Sequence, residues 1–560
     1  MSFVSSSSQR LFLLLTLFAG ALLLHDVACT DVLGPGYEIK DGGTSAAEVT
    51  QEKPVAEPVP RSEPVPRSEP ATPPDVRTPQ DTSVADNQPA PDQSNPSVYG
   101  YKAPPSQAVP KVLQGDTWLQ HWKNDIQPFW TSQDALGSPA GNFPTERQMD
   151  GRPSNNKDRR PRMLARQTYT YAMGYHMTGD SSLLQHALNG CDWLIAKAYD
   201  KSRGGWHALL DQQGNSKGNE SKWAQDTAYA LMGPATCYFL TRQKKYEDVL
   251  LATHDLLFSD KAYWDSSNQR IRDGLTPDMS NESDSQNDGG WELVAQLDPL
   301  NAYMLLVQPV LSTEQRRKQF LTDMKRLGDA LRKHFFADGI FWGVHNKKGQ
   351  FKTRHVDFGH TLKSYWMLLQ VDKRLPDHPY RSFLQSNVYR WVDLAYDSQY
   401  GSWGNRMTSL SQAEYGSGWW SYAESDQITA TLNLLDYRHI QRLAKTAQFW
   451  LNHYVDKQNK GIYDGVKRDG SGWGWPNNST SKCNMWKNGY HATEHALMLY
   501  MFGKQLERKT VDLYFAVPAD QVQSFVARPY IFLGTEVSRK DEGALSNNLR
   551  KVKVTFDKLY

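Results

Sequence analysis

A loop of one composition recurs along this chain and limits its fold more than any other feature. It reads Asp200-Lys-Ser-Arg-Gly-Gly-Trp206, Asp397-Ser-Gln-Tyr-Gly-Ser-Trp-Gly404 and Asp456-Lys-Gln-Asn-Lys-Gly-Ile-Tyr463, with a weaker form at Ala337-Asp-Gly-Ile-Phe-Trp342. Each copy ends an apolar-periodic stretch, turns through glycine and runs into aromatic residues that can pair as a small hairpin. Apolar residues at three- and four-residue intervals predict helices near 117–131, 162–178, 181–199, 222–242, 244–258, 290–310, 313–336, 360–372, 379–396, 419–435, 437–455 and 488–505. A unit repeated at a steady period packs against copies of itself. These twelve helices, taken as six hairpins, have the composition of an all-α (α/α)6 barrel with short β-hairpins in its loops. Alternate helices then line the interior, and the long loops at one end form a cleft.

Only part of the 560 residues can build such a core. Leu11–Leu24, after Arg10, is apolar, too short to span a bilayer comfortably and right for a secretory signal, so 1–29 reads as a signal segment. Cys29, after Val27-Ala28, leaves a lipid anchor and plain cleavage nearby both open. Residues 30–115 hold the doubled Glu57-Pro-Val-Pro-Arg-Ser62 and Glu63-Pro-Val-Pro-Arg-Ser68, a composition that makes an extended tether. Residues 116–507 carry the helices. Residues 508–560 are an extension in which Val511–Val517 and Val552–Phe556 alternate like strands. No later apolar run is long enough for a transmembrane segment, and the expected location is secreted or periplasmic.

A net charge of +2 without a basic block gives no reason to expect nucleic acid or an anionic membrane as partner. Cys29, Cys191, Cys237 and Cys483 make no metal-type pair and no disulfide framework, although one bridge stays open. Asn219-Glu-Ser, Asn281-Glu-Ser and Asn477-Asn-Ser-Thr480 are glycosylation sequons, which matter only in a eukaryotic host.

The even-numbered helices carry the unusual residues near their starts: Arg166, then Lys222 and Asp226, Asp298, His360, Trp419-Trp420 with Glu424, and Tyr490-His491 with Glu494 and His495. If the ring closes, all six starts face one pocket. Gly359 precedes His360 and gives the backbone freedom ahead of its helix. Two imidazoles across a pocket suit one reaction type: one takes the proton beside a carbonyl, and the other returns a proton to the opposite face. Arg166 can bind the oxygen on which enediolate charge develops. Glu424 lies one turn beyond Trp420 and can hold a sugar hydroxyl while Trp419, Trp420, Trp366 or Trp206 stacks on the ring. Each has a bland counterpart. The tryptophans can be core. Lys222 and Asp226, spaced i,i+4, can pair with each other, and Arg159, Arg160 and Arg162 look solvated.

Together these residues resemble the N-acylglucosamine 2-epimerase family, which includes cellobiose 2-epimerases and mannose isomerases. The resemblance runs from about Trp118 to Leu506. It rests on Arg166-Gln-Thr-Tyr-Thr-Tyr-Ala172 with Thr178-Gly-Asp180, on Gly204-Gly205 with Asp211 and Gly214, on Lys222, on Phe358-Gly-His360, on Trp419-Trp-Ser-Tyr-Ala-Glu424 and on Tyr490-His491. It implies an (α/α)6 barrel, His360 and His491 as the acid/base pair, Arg166 on the substrate oxygen, Glu424 as the carboxylate of the tryptophan-tryptophan-glutamate segment, and no metal or redox cofactor. Two departures stand out. Lys363 occupies a place where many members carry a glutamate, and a cation there disfavours a protonated His360. The segment Asp298-Pro-Leu-Asn-Ala-Tyr-Met-Leu305 lacks the histidine and glutamate of the cellobiose branch. The expected function is 2-epimerisation or aldose–ketose isomerisation of a saccharide outside the cytoplasm. Glycan cleavage, by hydrolysis with Asp226 and Glu424 or Asp426 as acid and base or by a lyase reaction with His360 as base, and saccharide binding without turnover are the alternatives.

Overall fold

The computed structural model describes residues 99–218, 220–283, 289–474, 479 and 481–560. The expected signal segment, Cys29 and most of the expected tether lie outside the described residues, as do Asn219 and Asn477. Among the described residues no helix is long and apolar enough to cross a membrane.

The chain is mostly helical, and twelve long helices answer the twelve periodic stretches. Helix α1 begins as Gly115–His121 and continues through the wider turn Trp122–Ile126 into Gln127–Trp130. Then come α2 (Pro161–Thr178), α3 (Ser181–Lys197), α4 (Ala224–Thr241) and α5 (Lys244–Leu257). Helix α6 starts as Leu293–Pro299 and passes through the π-helical turn Leu300–Met304 into Leu305–Val307. Pro299 lacks an amide donor, so a regular ladder cannot hold there. Helix α7 (Glu314–Ala330) runs on through Leu331–Phe335 and is followed by α8 (Phe358–Asp372), α9 (Arg381–Ala395), α10 (Trp419–Asp436), α11 (Ile440–His453) and α12 (Tyr490–Leu506).

Two kinds of helix alternate. The even-numbered ones are buried nearly all round, whereas α3, α5, α7, α9 and α11 bury one stripe. Helix α2 packs on α4, α4 on α6, α8 on α10, α10 on α12, and α12 returns to α2. An ion pair, Lys363 to Asp298, ties α8 to α6.

The repeated loop closes each of these five one-faced helices. The pairings are Tyr199 with Trp206, Trp264–Asp265 with Arg270–Ile271, Phe336–Ala337 with Ile340–Phe341, Tyr396–Asp397 with Ser402 and Trp403, and Val455 with Ile462. In four of them an aspartate, Asp200, Asp265, Asp397 or Asp456, accepts backbone N–H bonds from the turn that follows it. The Asp265 copy escaped the sequence pattern because it has no glycine: Gln269, at φ +58°, takes the left-handed position that Gly204 and Gly401 fill in two other copies.

Residues 99–113, read from sequence as the end of the tether, are held against the helices at a few buried points, while 101–103 and 105–108 stay exposed. Tyr99 and Leu113 are buried, and Tyr99 donates to Asp372 at 2.5 Å. The apolar surface of these few residues sets the boundary, against the proline-rich composition around them.

The C-terminal extension forms an antiparallel sheet of β1 (Val511–Pro518), β2 (Thr535–Ala544) and β3 (Leu549–Asp557), in spatial order β1-β3-β2. Its strands include both stretches expected to alternate. Strand β1 lies across α2 and α4, and Tyr175 and His176 near the end of α2 bond to the carbonyls of Phe515 and Tyr514. The sheet thus meets the C-terminal ends of inner helices, opposite the starts that carry the candidate residues.

Candidate functional site

His360 is positioned by the residue three before it. Asp357 caps α8: its Oδ1 accepts from the His360 amide at 2.7 Å, and its Oδ2 stands 2.7 Å from His360 Nδ1. Burial works to raise the Asp357 carboxyl, but the His360 ring and amide outweigh it and hold it below the usual range. The Nδ1–H therefore donates a hydrogen bond to a carboxylate. Among the described residues Nε2 has no hydrogen-bond partner.

His491 opens α12 from the other side. Its Nδ1 lies 3.3 Å from Glu424 Oε1, without hydrogen-bond geometry. Burial, then the charges of Arg166, Lys363, Lys487 and His360, push this imidazole well below its ordinary pKa, so it is neutral. Burial, together with Glu494 and Asp298, raises the Glu424 carboxyl to about 8 against the pull of Lys363. Glu424 thus holds its proton toward neutral pH beside a neutral imidazole.

The two imidazoles share one indole. The Trp420 ring lies 4.7 Å from that of His360 and 6.0 Å from that of His491, centroid to centroid. Trp420 is half-buried, and the side chains of His360 and His491 keep 14% and 7% of their surface open. Arg166 stacks its guanidinium 3.7 Å over Tyr229 and donates to the Trp486 carbonyl at 3.2 Å. Arg166 forms no ion pair with a carboxylate among the described residues, so its charge is available to an oxyanion.

Lys363 faces Asp298. Nζ stands 2.9 Å from Asp298 Oδ1 and 3.1 Å from the Tyr229 hydroxyl, while Gln225 and Tyr229 also donate to Asp298. Burial works against the ammonium, but Asp298 outweighs it and holds Lys363 protonated. The sequence alone sets Lys363 against a protonated His360. The structure adds what the sequence lacked: the lysine turns to Asp298 in an ion pair of its own, and Asp357 supplies the carboxylate for His360 from a different position.

Glu424, His491 and Glu494 bring ligand atoms within 4.8 Å of one another. A divalent cation fits poorly there, because Lys363 already acts on both carboxyls and Arg166 and Lys487 act on the imidazole. Protons suit this cluster better than a metal.

The sequence pattern of N-acylglucosamine 2-epimerase (GlcNAc 2-epimerase) matches residues 141–484, more than half of the chain. The chain belongs to the N-acylglucosamine 2-epimerase family. By that membership it is a sugar epimerase or isomerase. The matched span includes Arg166, His360 and Glu424 and ends before His491. Among solved structures, cellobiose 2-epimerase from Spirochaeta thermophila DSM 6192 superposes with a TM-score of 0.62 at 19% identity, over 72% of this chain and all of that one. Cellobiose 2-epimerase from Bacillus thermoamylovorans B4167 gives 0.59 at 13% identity, over 70% and 99%, and a D-mannose isomerase gives 0.58 at 17%, over the same shares. At such identity these similarities speak for the fold alone. No curated protein sequence matches the chain.

Several residues expected to bind substrate are engaged by other partners or buried in the core. Lys222 and Asp226 do not pair with each other: Lys222 pairs with Asp200 at 2.6 Å and pins the Gly204-Gly205 loop, while Asp226 pairs with Arg162 at 2.7 Å. Arg159 and Arg162 are buried rather than solvated, because Asn142 and Asp226 receive them. Trp206, Trp366 and Trp419 are core; Trp366 exposes none of its surface. Lys487 Nζ sits 4.0 Å from the Trp419 ring and covers it. Only Trp420 of the four stays open. Glu424 is fully buried and reaches substrate only through His491. Asp426 is consumed by His495, Trp403 and Thr446, which removes it as an acid for glycan cleavage. Cys191, Cys237 and Cys483 are free and buried.

Asp357 and Asp298 are the site residues that the sequence reading left without a role. Asp357 had a signal, an aspartate three residues before a histidine at a helix start, which is both N-cap and imidazole partner spacing. Asp298 shared the inner-helix phase, but nothing local pointed to its partner, which lies 65 positions away.

Proposed function

We propose that this protein is a carbohydrate 2-epimerase or aldose–ketose isomerase, built on an (α/α)6 barrel, that moves a proton at C2 of a saccharide outside the cytoplasm through His360 and His491. The observation that carries this reading is the shared indole: two imidazoles from different inner helices meet at Trp420, each with a carboxyl oxygen within 3.3 Å of its Nδ1.

The two carboxyls differ, and so do the roles. Asp357, an anion, stabilises the imidazolium formed when His360 Nε2 takes the C2 proton. The electron pair of the broken C–H bond moves into the enediolate, whose oxygen Arg166 receives. Neutral His491 donates a proton from Nε2 to the opposite face of C2. Its Nδ1 takes the Glu424 proton, leaving a carboxylate that Lys363 favours. Isomerisation requires that His360 return its proton to C1 while the proton of the C2 hydroxyl passes to the C1 oxygen. Trp420 offers the open aromatic face on which the sugar ring stacks.

Glycan cleavage has less support, because Asp226 is held by Arg162 and Asp426 is sealed in the core. The test is isotopic. A panel of reducing mono- and disaccharides incubated in D2O with the enzyme should gain deuterium at C2, and the His360→Asn and His491→Asn variants should not support this. A panel that returns unlabelled and unchanged removes the proposal.

A further inference from the structure

Behind His491, the barrel's buried polar chain ends on a residue contributed by the C-terminal extension. Tyr530 lies in the connection between β1 and β2, beyond the span matched by the family. Its side chain is buried, and its hydroxyl donates to Glu494 Oε1 at 2.5 Å. The same hydroxyl accepts from Tyr169 of α2 at 2.9 Å. Tyr169 therefore donates to Tyr530, and Tyr530 to Glu494. The other Glu494 oxygen, Oε2, is buried without a hydrogen-bond partner, as are both oxygens of Glu424 and Nδ1 of His491. These are the groups that lie within 4.8 Å of one another. A buried polar atom left unpaired is costly, so a cluster of four in one place calls for shared protons.

We infer that Tyr530 is a positioning residue for the proposed acid/base pair: its hydrogen bond fixes the Glu494 carboxyl beneath His491 and Glu424, and the extension thereby becomes part of the catalytic unit. This rests on the proton-transfer reading above. Tyr530 touches no substrate and acts only through Glu494. Its donation favours the carboxylate form of Glu494 against burial, which otherwise raises that carboxyl; the balance stands at about 7. The groups facing Glu494 are Tyr530 from the extension, Tyr169 from α2, Lys363 from α8, Glu424 and Gln427 from α10, and Tyr490 and His491 from its own helix. Lys363, Tyr490 and Gln427 pull the carboxyl down as Tyr530 does, and Glu424 opposes them. Tyr530 is the one of these that the helical body does not itself supply.

The experiment compares the full chain with Tyr530→Phe, which keeps the ring and removes the donor. The first readout is C2–H exchange in D2O across pH. The expected result is a kcat about tenfold lower, as one lost hydrogen bond predicts, with KM unchanged. The pH profile should shift to lower pH on its alkaline side, because a Glu494 that holds its proton longer no longer helps to keep the Glu424 proton in place. The second readout needs no turnover: the infrared C=O band of protonated carboxyl groups should persist to higher pH in Tyr530→Phe than in the parent, and Glu494→Gln should abolish that difference. Tyr169→Phe, which removes the donor to Tyr530 but leaves the Glu494 bond, should give the same shifts at smaller amplitude and serves where Tyr530→Phe does not fold. Parental pH profiles and parental carboxyl bands in these variants would overturn the inference. A parent without exchange on any sugar, but with the infrared shift intact, would instead fault the catalytic reading and leave Tyr530 as the holder of Glu494.

Discussion

Lys363 Nζ lies 2.9 Å from Asp298 Oδ1 in an ion pair that neither residue shares with solvent. The pair joins α8 to α6 at the level of the candidate site. Removing one member strands the other as a buried charge. Lys363→Met should therefore destabilise the protein by about 3–5 kcal/mol, and adding Asp298→Leu should restore most of the loss. Urea unfolding of the single and double variants measures both.

Asp357→Asn should separate stability from chemistry. Asparagine still caps a helix, so the melting temperature should change little. It cannot stabilise an imidazolium as a carboxylate does, so C2–H exchange should fall by roughly 10²-fold or more. A variant with parental exchange would assign the imidazolium to some other partner.

Arg166 stacks on Tyr229 with a planar guanidinium, which lysine does not reproduce. Arg166→Lys should lose kcat by about 10²–10³-fold, the scale of one lost oxyanion donor, with a smaller change in KM. Steady-state kinetics on the best substrate of the isotopic panel checks the split.

Glu424 gives a pH dependence with a definite sign. Burial raises its carboxyl from 4.5 to about 8. The folded protein keeps a proton that the unfolded chain releases above about pH 4.5, so the associated stability is full below 4.5 and is lost as pH rises toward 8. Glu424→Gln should flatten this slope and gain stability at pH 8 on the order of a few kcal/mol relative to the parent. Unfolding curves at pH 5 and pH 8 decide it. A parent as stable at pH 8 as at pH 5 would contradict the shift.

The helices and their order were legible in the sequence, because each is written locally. The 3.6-residue period of apolar residues, the aspartate–glycine turns and the caps at Asp180, Thr313 and Asp357 involve residues a few positions apart. The shared phase of Arg166, His360, Glu424 and His491 was legible for the same reason, since a residue's place in the first turns of a helix is a matter of spacing.

Partners were decided only by tertiary structure. A lysine at 363 reads as hostile to a histidine three residues before it until Asp298 arrives from another helix. Trp206, Trp366, Trp419 and Trp420 look alike as sugar platforms in a string of letters, yet packing leaves open only the last. Tyr530 could not be connected with Glu494 at all before the extension folded against the inner helices. Backbone periodicity is set by neighbours along the chain, whereas charge, burial and proton affinity are set by whatever comes near in space, and for this site those neighbours are drawn from all six inner helices and from the C-terminal sheet unit.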